Sequence, residues 1–193
     1  MIRIGILGDI GSGKSYIAKK FGYPIFNADL EVSKLYQLDK KTFYSLKRKL
    51  PKYFTSFPIN KDDVSYAILD RKGNLRKIIK IVHLKIRKKM NFFLKKNKNK
   101  KIVILDIPLL LENKINKKND ILVFVQSKRL DIYKRLKKRK KFNKKLIDKF
   151  KDIQLPLDYK KKKSKFIIKN DFTDKTASKY VKNILNKILK WKK

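Results

Sequence analysis

Apolar residues in this chain fall in blocks of two kinds: short continuous runs, and longer stretches with a period near 3.6. The run Ile2-Arg3-Ile4-Gly5-Ile6-Leu7 reads as a buried strand, and residues 13–21 read as a helix that begins inside the glycine-rich turn after it. A second short strand is expected at 23–27, after which Asn27 or Asp29 can cap a helix through Leu30, Val32 and Leu35. Residues 36–99 follow a mostly helical, lysine-laden pattern punctuated by Pro51, Pro58 and Gly73, and the longest helix there carries Leu75, Ile78, Ile79, Val82, Ile86, Met90 and Phe93. Continuous apolar runs at 101–105 and 121–125 suit parallel strands covered on both faces. A charged helical segment is expected over 129–153, then Pro156, then a short strand at 166–168. The last helix places Ala177, Tyr180, Val181, Ile184, Leu185, Ile188 and Leu189 on one stripe, with lysines facing water.

Strands alternating with helices predict an α/β fold with a parallel sheet flanked by helices. The helical block between the second and third strands reads as an insertion. No internal repeat is present, and the low-complexity tracts, 95–101 and 160–163, are rich in lysine.

Composition sharpens this picture. The chain has 193 residues, 55 Lys plus Arg against 16 Asp plus Glu, and a formal net charge of +39. Its 42% hydrophobic content, with 12 Phe and 9 Tyr, is enough for a core, and its arrangement in periodic blocks excludes disorder for most of the chain. With no cysteine, disulfides, thiolate zinc sites and cysteine nucleophiles are excluded. The most apolar stretch, 102–111, is interrupted by Asp106 and Pro108 and is far shorter than the roughly 20 residues of a membrane span. The first residues pass from strand to turn without the features of a secretory leader, so a soluble, cytoplasmic protein with no membrane partner is expected. The charge itself has two readings. Lysine and arginine can bind nucleic acid by neutralising phosphates, but here arginine is rare and lysine is spread along the whole chain, which fits solvated helix faces better than one binding patch.

One motif carries chemistry. Gly8-Asp9-Ile10-Gly11-Ser12-Gly13-Lys14-Ser15 satisfies G-x-x-x-x-G-K-[ST] in full, directly after the first strand and opening a helix. In that context Gly11, Ser12, Gly13 and the residues through Tyr16 present backbone N–H groups to a phosphate, Lys14 reaches the β and γ phosphates, and Ser15 binds Mg²⁺. The motif implies ATP or a related nucleotide with Mg²⁺. At 193 residues, with no guanine-reading N-K-x-D signal expected and no tandem domain, a small-molecule kinase fits better than a GTPase or a DNA motor.

Such a kinase needs a base, a metal partner and cations for the transferring phosphoryl group. Asp29, just past the second strand, can accept the proton of the attacking hydroxyl or simply begin a helix. Asp106, ending the third strand, can hold Mg²⁺ through water or serve the turn before Pro108. Arg135 and Arg139, at i and i+4 of the charged helical segment, can spread phosphoryl charge or lie on a solvated face.

Taken together, these pieces resemble the dephospho-CoA kinase family over nearly the whole chain. The likeness is carried by the Gly8 to Ser15 loop, by Asn27-Ala28-Asp29 where the family has D-A-D, and by Asp106-Ile107-Pro108-Leu109-Leu110-Leu111-Glu112 matching D-x-P-L-L-x-E. Arg135-Leu136-Lys137-Lys138-Arg139 and Gln154-Leu155-Pro156-Leu157-Asp158-Tyr159-Lys160 complete it, followed by Phe166-Ile167-Ile168-Lys169-Asn170. The resemblance implies ATP-dependent phosphorylation of the ribose 3′-hydroxyl of dephospho-CoA, giving CoA and ADP, with no specific nucleic-acid partner. It implies a P-loop nucleotide core (1–34, 101–128 and 161–193), an acceptor-binding helical insertion (35–100) and a lid (129–160). Asp29 is then the general base, Lys14 and Arg139 stabilise transferring charge, Ser15 and Asp106 serve Mg²⁺, and Arg135 and Asn170 lie by the nucleotide. His83 matches the family's H-P position, although Leu84 stands where the family has proline, and it can contact the acceptor or serve as a packed or capping histidine. Asp9 replaces a glycine, Asn27 replaces an aspartate, and Lys165-Phe166 replaces Ala-Asp. The rivals are a nucleoside or nucleotide kinase on the same scaffold and, in another class, a basic nucleic-acid-binding protein.

Overall fold

A computed structural model describes residues 1–140 and 142–191. In chain order its elements are β1 (Ile2–Gly8), α1 (Lys14–Lys20), β2 (Ile25–Asn27), α2 (Ala28–Leu38), α3 (Lys40–Lys49), α4 (Lys61–Asp70) and α5 (Asn74–Lys96). There follow β3 (Ile102–Asp106), β4 (Ile121–Gln126), α6 (Arg129–Lys137), α7 (Lys144–Lys151), α8 (Leu157–Lys163), β5 (Phe166–Lys169) and α9 (Asp174–Lys190). The strands form one parallel sheet in the order β2-β3-β1-β4-β5.

The continuous apolar runs are explained by what covers them. Alternate side chains of the central strands, Ile4, Ile6, Ile102, Ile104, Val123 and Val125, join one buried cluster with Ile17 and Ala18 of α1 and with Ala177, Val181, Ile184 and Ile188 of α9. Each such aliphatic side chain contributes about 1.5–3 kcal/mol on burial, so the stripe of α9 holds that helix to the sheet. The other face of β1 is met by the segment after β3. A Cβ on Gly5 would lie 2.5 Å from Leu110 Cδ2 and 2.9 Å from Leu122 Cδ2, so only glycine lets that segment press against the strand. Because β1 sits between β3 and β4, the loop after Gly8 opens at the carboxyl edge of the sheet, where α/β folds bind ligands.

The chain divides into two units. The first comprises Met1–Asn27, Asn97–Phe142 and the residues from Gln154 on, and holds the whole sheet. The second comprises Ala28–Lys96 and Asn143–Ile153. Within it, Asp39 and Asn60 cap α3 and α4 through Thr42 N and Asp62 N. The long helix α5 buries Leu75, Ile78, Val82, Ile86 and Met90 at the spacing of one face. Buried Asn74 donates to the Ala67 carbonyl at 2.9 Å, closing the turn between α4 and α5.

Three expectations need correction. The helical segment expected over 129–153 is broken, with α6 ending at Lys137 and α7 starting at Lys144 under an Asn143 cap. Lys137, Lys138, Arg139 and Lys140 are consecutive cations with no acid among them, and like charges at helical spacing oppose continuation. Arg135 and Arg139 therefore do not share one helix face. Finally, the residues after Pro156, given no element in the sequence reading, form α8, with the proline at the position before the first turn.

Candidate active site

The loop between β1 and α1 is held from below by the ends of two other strands. Ser12 carbonyl O accepts Asn170 Nδ2 at 2.9 Å and Ser127 Oγ at 3.0 Å, so the turns after β5 and β4 both grip the loop near its apex. Asn170 is itself fixed: its N–H donates to Gln126 O at 2.7 Å, and its Oδ1 accepts Phe172 N–H at 3.1 Å. Gly13 has φ +92°, and a Cβ there would stand 2.5 Å from Asn170 Nδ2, so this position requires glycine twice over. Lys14 Nζ donates to Asp9 O at 2.7 Å and Gly8 O at 3.2 Å, which folds the ammonium across the loop. The Asp9 carboxylate turns onto its own backbone, with Oδ1 accepting Ile10 N–H at 2.7 Å. Ser15 lies exposed in the first turn of α1.

Helix α6 packs onto this loop. Ile132 Cγ2 and Leu136 Cγ lie 3.0 Å from where a Cβ on Gly11 would sit. That docking brings the Arg135 guanidinium over the Phe172 ring, 4.2 Å from its centroid, a cation–π contact of about 0.5–2 kcal/mol. Phe172 adopts φ +66°, which for a bulky residue costs roughly 1–2 kcal/mol and is held by the Asn170 side chain. Arg139 lies in the turn after α6, its N–H donating to Leu136 O at 3.1 Å, and both arginines are exposed. The Tyr16 hydroxyl donates to Asp174 Oδ1 at 2.5 Å, at the start of α9, and the Lys20 ammonium pairs with the same carboxylate.

Asp106 is the last residue of β3 and only 3% exposed. Its register partner on β2 is Asn27, whose Nδ2 donates to Asp106 Oδ2 at 2.6 Å. Mg²⁺ is held in such sites by one or two carboxylates or hydroxyls together with phosphates and waters. A single fixed carboxylate at the sheet edge, with the Ser15 hydroxyl at the head of α1, fits that chemistry. Among the described residues no group of three or more His, Asp or Glu gathers to make an all-protein metal cage. Asp29 and His83 belong to the second unit. Asp29 is the second residue of α2, inside its first turn rather than capping it, and exposed. His83 is half-buried midway along α5.

Some of the site was not visible in the sequence. Ser127 and Phe172 drew no attention because one is a lone serine after a strand and the other a lone aromatic after Asn170-Asp171. The motif ends Glu112 and Lys160 also meet: Lys160 Nζ, on a side chain 1% exposed, lies 2.6 Å from Glu112 Oε1. The expectation of no N-K-x-D signal needs correction, since Asn60-Lys61-Asp62-Asp63 spell that pattern of guanine readers. Here they are a helix start, with Asn60 Oδ1 accepting Asp62 N–H at 3.0 Å.

A parallel sheet with a complete phosphate-binding loop after its central strand, gripped at Ser12 by two neighbouring strand ends, defines a P-loop nucleotide-binding protein. Comparison narrows the class. The dephospho-CoA kinase family model matches residues 2–175, and the chain belongs to that family. The dephospho-CoA kinase of Wolbachia sp. subsp. Brugia malayi (strain TRS) is 31% identical over 190 residues, covering 96% of this chain and 97% of the relative. Two solved structures share the fold. A Thermus thermophilus protein superposes with a TM-score of 0.74 at 21% identity, covering 96% of this chain and 97% of its own. The dephospho-CoA kinase from Campylobacter jejuni does so with a TM-score of 0.60 at 22% identity, covering 96% of each chain. No helix among the described residues is long and apolar enough to cross a membrane.

Proposed function

We propose that this chain transfers the γ-phosphoryl group of ATP to the ribose 3′-hydroxyl of dephospho-CoA, giving CoA and ADP, and that it does so in the cytoplasm. The observation that carries the reading is the complete Gly8 to Ser15 loop, braced by Asn170 and Ser127, in a chain matched by the family over residues 2–175. The loop amides and the Lys14 ammonium cradle the β and γ phosphates, and Lys14 exchanges its two loop carbonyls for phosphate oxygens. Arg135, its guanidinium over the Phe172 ring that lies beside Gly13, borders the nucleotide. Asn170 lies by the nucleotide and orients the Ser12 peptide of the loop.

Ser15 and Asp106 are the residues that would hold Mg²⁺, which would supply neutralising positive charge to the triphosphate. Asn27 keeps the Asp106 carboxylate in one orientation. Asp29 takes the proton from the 3′-hydroxyl as the ribose oxygen bonds to Pγ. The bond from Pγ to the β,γ-bridging oxygen breaks, and its electrons leave with ADP. Lys14 and Arg139 neutralise the charge that spreads over the γ oxygens, and His83 contacts the acceptor. Positioning and electrostatics dominate, since the transition state is largely dissociative.

The test is a transfer assay with ATP and Mg²⁺ on dephospho-CoA beside nucleosides and nucleoside monophosphates. Dephospho-CoA is expected to be the preferred acceptor, and Lys14→Ala to abolish transfer. Turnover confined to nucleosides or their monophosphates would reassign the acceptor. Tight, salt-sensitive nucleic-acid binding that survives Lys14→Ala, without any transfer, would remove the kinase reading altogether.

A further inference from the structure

Two motif ends with no part in the chemistry above meet in the interior of the first unit. Lys160 of α8 is 1% exposed and the Glu112 side chain 9%, and their charged atoms lie 2.6 Å apart. Lys160 Nζ also donates to Gln154 Oε1 at 3.1 Å, and Glu112 Oε1 accepts Leu155 N–H at 3.0 Å. One buried ion pair thus joins the segment after β3, the entry to α8, and α8 itself. As a source of stability it is poorly arranged, because Glu112 Oε2 is buried without a hydrogen bond, and an apolar pair of similar volume serves a core as well or better.

Its place in the chain suggests another use. Glu112 lies six residues beyond Asp106, on the segment whose Leu110 presses on Gly5 of the P-loop strand. Gln154 and Leu155 are the first residues after the chain returns from Asn143–Ile153 of the second unit. At the other end of the same excursion, α6 is docked on Gly11 and leads into the turn bearing Arg139. Both ends of this excursion, the turn after α6 and Gln154-Leu155, are therefore held within the first unit, by apolar packing on the loop at one end and by the Glu112–Lys160 pair at the other, while α7 between them packs on α4 within the second unit.

We propose that Glu112 and Lys160 are positioning residues for phosphoryl transfer, fixing the return of the chain at Gln154-Leu155 so that the segment carrying Arg139 has one defined course. The proposal rests on the kinase reading, but half of its test does not. Lys160→Met strands the Glu112 carboxylate and is expected to lower the unfolding temperature. Glu112→Gln with Lys160→Met removes both charges, keeps an acceptor for Leu155 N–H, and is expected to restore that temperature. In the folded double variant, tryptic cleavage after Lys144 to Lys151, mapped by mass, is expected to rise about fivefold or more as the segment opens more often. The turnover number is expected to stay about tenfold down, with direct ATP binding within about threefold of wild type.

Recovery of turnover together with the unfolding temperature, or cleavage no faster than in wild type, overturns the proposal and leaves the pair as packing. A wild-type chain that fails to phosphorylate dephospho-CoA refutes the kinase reading instead, and the cleavage rate still decides whether the pair holds the segment. Should the double variant not fold, Glu112→Gln alone is judged by the same two readings.

Discussion

Asn170 and Asp29 show how differently single side chains declare themselves. Both belong to motif positions, yet Asn170 is spent on a carbonyl of the phosphate loop while Asp29 stands exposed in the first turn of α2. A carboxylate in a first helical turn is stabilising whatever else it does, so position alone does not make it a base. The kinetic consequence does. Asp29→Asn keeps the shape and the helix, and is expected to cut the turnover number about 10²-fold or more at nearly unchanged ATP affinity. A rate close to wild type would leave Asp29 as a helix residue only. Lys14, Gly13 and Ser15 were legible from sequence because a phosphate loop demands those residue types at that spacing. Phe172 was not, since nothing local distinguishes it and its role comes from α6 arriving with Arg135.

Among elements, α1 and α9 are joined at a small polar staple above their shared apolar contact. Asp174, the first residue of α9, receives the Tyr16 hydroxyl and pairs with Lys20. Hydrogen bonding to Lys20, then to Tyr16, holds the Asp174 carboxyl down at about 2. The folded value lies below the unfolded one of about 3.9, so the staple's stabilisation is complete above the unfolded value and is lost as pH falls through the folded one. Asp174→Asn is therefore expected to lower the unfolding temperature at neutral pH, with the gap to wild type closing between about pH 4 and pH 2. A gap that persists at the acid end would assign the effect to side-chain shape. Helices with strong periodicity, such as α5 and α9, could be read from spacing because one buried face dictates their pattern. The break between α6 and α7 could not, since lysine and arginine favour helix one at a time and only their accumulation, with Asn143 offering a new start, ends it.

For the whole molecule, the net charge of +39 first invites a nucleic-acid partner, but the site that the fold assembles takes small polyanions. A positive background raises the capture rate of such ligands and is screened by salt over a distance of about 8–10 Å. Rising ionic strength is thus expected to lower kcat/KM for dephospho-CoA while sparing kcat; salt-insensitive capture would make the charge a compositional habit without a part in catalysis. The sequence by itself determined the class of fold, through apolar runs that suit only a sheet covered on both faces, and the phosphate chemistry, through a loop whose glycines and lysine are contiguous. Only the tertiary structure decided how that loop is braced, that Asp106 is held by Asn27, and that Glu112 meets Lys160. The physical reason is separation along the chain. A pattern read locally reports which face of an element is buried, whereas contacts between residues 48 or 158 positions apart, as for Lys160 with Glu112 and Asn170 with Ser12, exist only once strand order and packing bring them together.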